Sequence, residues 1–331
     1  MRRREFIGLA GGAVAAWPLA ARAQQMKRIG VLMNAAATDT RRQPNLAAFV
    51  QALGQNGWVE GQTIRIEVRW NAADAELART YAAQLIGLMP DAILAVSTTN
   101  LVVLRQATNT VPIVFLQVSD PVAQGFVSNL ARPGGNITGF SDLEFSVGGK
   151  CVELLKELVP GLARVAVMFN PATSPQSKYF MNAIEPAAKS FGVQATAMPV
   201  RAVADIEAGI ESLSRQQNSG LILPTDSFVG SNHTSIAELA ARQRVPTITI
   251  GGGDYGFALV GGLMTYGYTN VLDQFLQAAA YVDRILKGAK PGDLPVQLAT
   301  NYRLAINRKT ARALGLEIPA KLLFTADEVI E

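Results

Sequence analysis

Apolar runs alternate with amphipathic stretches along the chain from residue 28 onward. Ile29 to Met33 form a continuous hydrophobic run, which is typical of a strand buried on both faces. The next apolar positions recur at helical spacing and end at a cap glycine: Leu46, Phe49, Val50, Leu53 and Gly57. Further strands are predicted at 64–70, 92–96 and 113–116, each followed by a helical pattern. The first 140 residues therefore predict a doubly wound parallel sheet.

A second strand–helix series follows the turn at Pro133 to Asn136. It begins with a helix on an apolar stripe that includes Val147 and Cys151, and strands are predicted at 165–169, 194–198, 221–223 and 247–250. A long amphipathic helix at 272–286 and a strand at 302–306 come last. Two similar series predict two α/β lobes, each a doubly wound parallel sheet, joined by a multi-crossing hinge. We expect lobe 1 to comprise 27–141 and 253–293, and lobe 2 to comprise 142–252 and 294–331.

The amino terminus has the pattern of an export signal. Arg3-Arg4-Glu5-Phe6-Ile7 is a twin-arginine motif, the residues up to Leu19 are mostly apolar, and Ala21-Arg22-Ala23 offers a cleavage site. The apolar run is too short for a bilayer core of about 30 Å, which needs about 20 residues. The sequence thus predicts a signal peptide at 1–23, cleaved near Ala23, and a periplasmic protein.

Charge and length narrow the class of protein further. The 331 residues suit two domains, and removing the leader leaves 26 basic against 25 acidic side chains. Binding to nucleic acid needs clustered Lys and Arg, so this near-neutral balance argues against a nucleic-acid partner. We expect a monomer.

The loops after the predicted strands are small and rich in hydrogen-bond acceptors. In open parallel sheets, ligands bind beyond the carboxyl ends of the strands, near helix amino termini. The candidate ligand-binding residues in these loops are Asn34, Ser97, Thr98, Thr99, Asn100, Ser119, Asp120, Asn170, Thr173, Ser174, Thr225, Asp226, Ser227 and Gly252. Such loops suit a zwitterion or a polyol. The alternative for each single loop is that its Ser, Thr, Asn or Asp only caps a helix.

Catalytic and metal-binding signals are weak. His233 is the only histidine, and we expect a surface or capping residue rather than a base. One histidine and one cysteine do not make a typical zinc site, and Cys151 lies on an apolar helix stripe. Gly251 to Gly256 match G-x-G-x-x-G, but Phe257 to Met264 continue as a strand-like run rather than the helix of a nucleotide site. We expect no catalytic residue, metal or cofactor, and interpret the glycines as a hinge between the lobes.

Longer motifs give the chain a family resemblance. The stretches that carry it include Gly57-Trp58-Val59-Glu60-Gly61-Gln62, Ser119-Asp120-Pro121-Val122, Arg132-Pro133-Gly134-Gly135-Asn136 and Leu223-Pro224-Thr225-Asp226. Together they resemble the ABC transporter substrate-binding proteins of the TrpX type, with the type I periplasmic binding fold. The resemblance implies a protein that delivers a small molecule, often an aromatic amino acid, to an inner-membrane permease with its ATPase.

The resemblance also implies site residues. Family ligand positions fall on the same loops, and Asp226 is the best candidate to bind an ammonium group. Gly251 to Gly253 stand where relatives often have a Ser-Asp pair. Tyr266 is a further candidate ligand residue, in a segment that matches the family pattern only loosely. An alternative function is a cofactor-dependent periplasmic oxidoreductase, since twin-arginine export often serves such enzymes. A sugar-responsive repressor would need an amino-terminal helix-turn-helix instead of the export signal.

Overall fold

The structure is a computed structural model that describes residues 26–251 and 256–331. The predicted signal peptide, residues 1–23, and Gly252 lie outside these described residues.

The first part of the chain alternates strands and helices as the hydrophobic pattern predicts, except that the helix expected after 113–116 is absent and turns connect that strand to the next one. Its elements in order are β1 (Lys27–Met33), α1 (Gln43–Gln55), β2 (Ile64–Trp70), α2 (Ala75–Gly87), β3 (Ala92–Val96), α3 (Thr98–Ala107), β4 (Ile113–Val118) and β5 (Ile137–Ser141). All pairs between these strands are parallel. The sheet is buried on both faces because helices cover both, which explains the uninterrupted apolar strands.

The second part repeats the alternation. Its elements are α4 (Val147–Leu158), β6 (Arg164–Phe169), α5 (Ser177–Ser190), β7 (Gln194–Pro199), α6 (Val203–Ser214), β8 (Ser219–Leu223), α7 (Ser227–Ser231), α8 (His233–Arg242), β9 (Thr247–Ile250), α9 (Gly256–Leu259) and β10 (Met264–Tyr268). The residues after the glycine-rich motif thus begin with a short helix, not with the strand that the sequence predicted there.

The last part returns to each lobe in turn. It contains α10 (Val271–Leu286), a 3-10 turn (Pro291–Asp293), β11 (Gln297–Leu298), β12 (Tyr302–Asn307), α11 (Arg308–Ala313), α12 (Ala320–Thr325) and β13 (Glu328–Ile330). The described strands form two sheets, with the orders β11-β5-β4-β3-β1-β2 and β13-β12-β10-β9-β8-β6-β7. The predicted class, two α/β lobes, is confirmed; β12 runs antiparallel to β10 within the otherwise parallel second sheet.

The chain passes between the sheets after β5, at 269–270 and at 299–301. These crossings differ from the expected boundaries 253–293 and 294–331. β10 pairs with β9 and β12, so 256–268 belong to the second lobe, while β11 pairs with β5 in the first. Gly251 is not at a crossing, because its N–H donates to Tyr266 O and its segment stays in the second lobe.

The return helix α10 is fixed to the first lobe by packing against α1 and by one buried hydrogen bond. Phe275, Val282 and Leu286 join the apolar cluster that covers one face of the first sheet. Trp58 Nε1 donates to Asp283 Oδ1 at 2.8 Å, and the exposed Lys287 pairs with the same carboxylate. This contact joins residues that are 225 positions apart in the chain.

We expect Trp58→Phe to lower the free energy of unfolding by about 1–3 kcal/mol, because a buried carboxylate loses a hydrogen bond. Lys287→Ala removes the solvent-exposed partner of the same carboxylate and should lower it by less than about 1 kcal/mol. Urea unfolding of the two variants measures both changes. Equal losses would show that the buried indole contact contributes no more than the exposed ion pair.

Candidate functional site

A cavity of about 150 Å³ lies where the carboxyl ends of the two sheets face each other. Eight of the sequence-predicted residues line it: Asn34, Ser97, Thr98, Thr99, Thr173, Thr225, Asp226 and Ser227. The first four follow β1 and β3 of the first lobe, and the others follow β6 and β8 of the second. Loops that are distant in sequence therefore meet at one cleft, as the strand-end argument predicts.

Three side-chain hydrogen bonds join the lobes across this cleft. Asn34 Nδ2 donates to Ser227 Oγ at 3.1 Å, and Thr99 Oγ1 donates to Thr173 O at 2.9 Å. The hydroxyls of Ser119 and Thr225 lie 3.3 Å apart. The two lobes are therefore in direct contact around the cavity.

Ser119 and Ser174 lie behind the cavity wall rather than on it. Ser119 is 1% exposed and donates to Asp142 Oδ1 at 3.2 Å, in addition to its contact with Thr225. Ser174 is fully buried, and its hydroxyl donates to Thr225 O at 3.2 Å. Both hydroxyls hold the loops that carry the lining residues.

The structure places four other predicted residues away from the cavity. Asn100 is fully buried, and its amide holds the ends of β1 and β3 through Leu32 O and Val96 O. Asp120 and Asn170 accept hydrogen bonds from backbone N–H groups of their own turns. Tyr266 packs on the core of the second lobe and stacks on Tyr302, with ring centroids 6.2 Å apart. These residues are structural, since local capping and core packing satisfy them.

Asp226 lines the cavity, but its carboxylate is already occupied. Oδ1 accepts from Thr173 Oγ1 at 2.6 Å and from the N–H groups of Phe228 and Val229, which caps α7. Oδ2 accepts from Asn170 N at 2.5 Å. Burial raises the pKa of Asp226, and these hydrogen bonds oppose the rise. With four donors from the protein, Asp226 positions two loops and is a poor ammonium partner.

Several lining residues were missed by the sequence analysis. They are Asp39, Arg41, Arg42, Gln117, Asp142, Gln176, His233, Thr249 and Tyr268. Asp142 could have been found, because it directly follows β5 and the same strand-end rule applies to it. Gln176 could not have been found in this way, since it lies two turns after the end of β6. Only the tertiary packing places its side chain at the cavity.

Two lining residues have backbone conformations that are unusual for residues other than glycine. Ser97 has φ 94° and Gln117 has φ 54°, and they lie at the ends of adjacent strands β3 and β4. Such conformations cost of order 1–3 kcal/mol each and concentrate at functional sites. The strained positions therefore lie at the edge of the first sheet that faces the cavity.

Positive charge lies on the side of the cavity formed by the β1–α1 loop. Arg41 and Arg42 line the cavity from the first lobe, opposite His233 at the start of α8 in the second. Burial, with Arg41 and Arg42 adding to it, lowers the pKa of His233 to about 4, so the ring is neutral at pH 7. The ring is half-buried and meets Phe257 edge-on at 5.1 Å; His233 is the first residue of α8, and the expected surface or capping role did not include its place in the cavity wall.

The opposite charge is carried by Asp142. Burial raises its pKa to about 6, and the groups that oppose the rise are neutral: the Ser119 hydroxyl and the N–H groups of Asp142 and Leu143. A pKa raised from 3.8 to about 6 disfavours the charged form by about 3 kcal/mol. The charged Asp142 carboxylate therefore lowers the stability of the folded protein when no ligand is bound.

Within the described ranges, no group of three or more His, Cys, Asp or Glu side chains could hold a metal ion. The search for long apolar helices over the same residues finds none that could cross a membrane.

We expect Asp142→Asn to raise the free energy of unfolding of the free protein by about 1–3 kcal/mol at pH 7.5. Because the folded-state pKa of Asp142 is the higher one, the wild type gains stability relative to the variant as the pH falls from 6 to 4. The advantage of the variant should therefore disappear near pH 4. Urea unfolding at both pH values measures this.

Asp205→Asn is the matched control with the opposite sign. The N–H groups of Arg201 and Ala202 lower the pKa of Asp205, so this variant should be less stable than the wild type at pH 7.5. An Asp142→Asn variant that is destabilised at pH 7.5 as well would contradict the electrostatic account of Asp142.

Comparison with known proteins agrees with this geometry. A curated relative, a tyrosine-binding protein of Clostridioides difficile, is 26% identical over 295 residues, which cover 85% of this chain and 83% of the relative. The structure of a Streptococcus pneumonia ABC domain in complex with L-Trp superposes with a TM-score of 0.78 at 24% identity, covering 92% of this chain and all of that chain. A ligand-free, open substrate-binding protein from Clostridium difficile gives 0.62 at 27% identity, covering 92% and 99%.

The family assignment rests on a match over most of the chain. The model of the family described as ABC transporter substrate binding protein matches residues 32–330, which include both lobes and every described residue of the cleft. The chain belongs to the family of ABC transporter substrate-binding proteins.

Proposed function

We propose that this protein is the exported binding component of an ABC importer, which captures an amino acid in the cleft and presents it to an inner-membrane permease with its ATPase. The observation that carries the proposal is the cavity lined by both lobes and closed by three hydrogen bonds between them. A ligand that touches both lobes favours the closed arrangement over the open one. The permease would then recognise the closed shape.

The shape and charge of the cleft support a small zwitterion as ligand. A volume near 150 Å³ is comparable to a cavity that holds one benzene-sized molecule, so it suits a single small metabolite. Asp39, Arg41 and Arg42 together give the β1–α1 loop one net positive charge beside the cavity, although Arg41 also pairs with Asp39, and this suits a carboxylate; Asp142 offers an anion for an ammonium group. The tyrosine-binding relative makes tyrosine the first amino acid to test.

The chemistry of the lining residues supports binding without catalysis. His233 faces Phe257, and the thiol of Cys151 is buried in the core of the second lobe, where burial raises its pKa. Four hydroxyls at the cleft have loop backbone, Asp142, Asp226 or one another as partners: those of Thr99, Ser119, Thr173 and Thr225. This arrangement holds loops in place and does not activate a nucleophile.

Export to the periplasm completes the proposal and rests on the amino-terminal sequence. The twin-arginine motif at Arg3-Arg4 and the cleavage site at Ala21-Arg22-Ala23 are those of a secretory signal. A binding protein that serves an inner-membrane permease would act on the outer side of that membrane.

We expect at least one amino acid to raise the unfolding temperature of the mature protein strongly. At 100 times its dissociation constant, a ligand adds about 2.7 kcal/mol to the free energy of unfolding. Differential scanning fluorimetry with tyrosine, tryptophan, leucine and other amino acids, with polyols as comparison ligands, measures the shift. A protein that responds to no amino acid, or that converts one into a product, would refute the proposal.

We expect Thr99→Val to weaken ligand binding about three- to tenfold, because the closed form loses the hydrogen bond to Thr173 O. Thr310→Val is the matched control: Thr310 Oγ1 donates to Gly261 O at 2.8 Å within the second lobe. It should lower stability and leave affinity unchanged. Isothermal titration calorimetry measures the ligand affinity of both variants. Equal losses of affinity would contradict the explanation that Thr99→Val acts by weakening closure of the lobes.

A further inference from the structure

Among the described residues, three carboxylates line the cavity, and the protein itself occupies two of them. Asp39 accepts from Arg41 Nε at 3.2 Å, from Arg41 Nη2 at 3.3 Å and from Arg41 N at 3.0 Å. Asp226 accepts from four donors around the amino terminus of α7. Protein donors therefore already satisfy both of these carboxylates.

Asp142 is different from the other two carboxylates. Its side chain accepts from the Ser119 hydroxyl at 3.2 Å, and every group that stabilises its charge is neutral. Asp142 directly follows β5, at the point where the chain passes from the first lobe to the second. A carboxylate with neutral donors in a partly buried cleft is poorly compensated, and a cation from the ligand would compensate it.

The second lobe contributes an unpaired acceptor to the same cavity. Gln176 is 4% exposed and lines the cavity, and its Oε1 has no hydrogen-bond partner among the described residues. Its Nε2 donates to Thr225 O at 2.8 Å, which fixes the orientation of the amide and leaves Oε1 as the group without a donor. Buried acceptors in proteins are nearly always satisfied, so this one points to a donor on the ligand.

A continuous set of contacts joins the two acceptors. Asp142 contacts Ser119, the Ser119 hydroxyl contacts the Thr225 hydroxyl across the cleft, and Thr225 contacts Gln176. The side chains of Asp142 and Gln176 therefore belong to one polar cluster, and each side chain carries an acceptor. A group with several N–H donors could bind both acceptors and would then bridge the lobes.

We propose that Asp142 and Gln176 form the ammonium subsite of the cleft, with Asp142 supplying the charge and Gln176 Oε1 a second acceptor. This inference rests on the proposed amino-acid-binding function and specifies which end of the ligand binds at each side of the cleft. The ligand carboxylate then faces Arg41 and Arg42. Asp226, the residue favoured by the sequence, positions loops instead.

The test compares amino acids with analogues that lack only the amino group. The probe pairs are L-tyrosine with 3-(4-hydroxyphenyl)propionate, L-tryptophan with 3-(indol-3-yl)propionate, and L-leucine with 4-methylpentanoate. Calorimetry on the mature wild type should show the amino acid of at least one pair binding about 10- to 100-fold more tightly than its analogue. Asp142→Asn should remove most of that preference by weakening the amino acid and sparing the analogue.

Two further variants separate a ligand contact from a structural role. Gln176→Met has a similar volume and lacks the amide, and it should lower the preference about tenfold or less. Thr99→Val weakens closure and should lower the affinity for both members of a pair by the same factor, which leaves the preference unchanged.

Each outcome discriminates between the two proposals. If Asp142→Asn keeps the wild-type preference, or weakens both members equally, the ammonium subsite is refuted and amino-acid binding stands. Wild-type protein that binds an amino acid and its analogue equally well also refutes the subsite alone. Wild-type protein that binds no amino acid refutes the proposed function, and the ammonium subsite with it.

Discussion

Hydrogen bonding between strand-end loops of the two lobes is the constraint on which the cleft depends. Three pairs of residues join one lobe to the other: Asn34 with Ser227, Thr99 with Thr173, and Ser119 with Thr225. Parallel sheets place their carboxyl ends at one edge, so two such lobes facing each other bring their loops together. The three contacts are small, and a solute that bridges the same loops can shift the balance between open and closed forms.

The loops are held in place by a second layer of polar contacts. Asp226 binds the loop after β6 and caps α7, while Asn100 holds β1 and β3 together from beneath. Ser174 and Gln176 both donate to the carbonyl of Thr225. A rigid set of loops reduces the ordering that ligand binding requires, which favours affinity.

One buried charge in the cleft lowers the stability of the free protein, as the proposed ligand subsite requires. Arginines occupy the side formed by the β1–α1 loop, and Asp142 remains a carboxylate among neutral donors. The backbone strain at Ser97 and Gln117 lies at the same edge of the first sheet. Binding sites often reduce stability in this way, because groups that await a ligand are not satisfied by the protein alone.

The sequence by itself determined the class of fold, most of the strand positions and the edge of the sheets where a ligand would bind, because hydrophobic period and strand ends are local features. It could not separate lining residues from capping ones: Asn100 and Asn170 have the same composition signals as Thr99 and Asn34, and only the direction of each side chain distinguishes them. Tertiary structure alone placed β10 in the second lobe and β11 in the first, since strand pairing joins residues far apart in the chain. It alone brought Asp142 and Gln176 into one polar cluster, because no local pattern encodes a contact across a cleft.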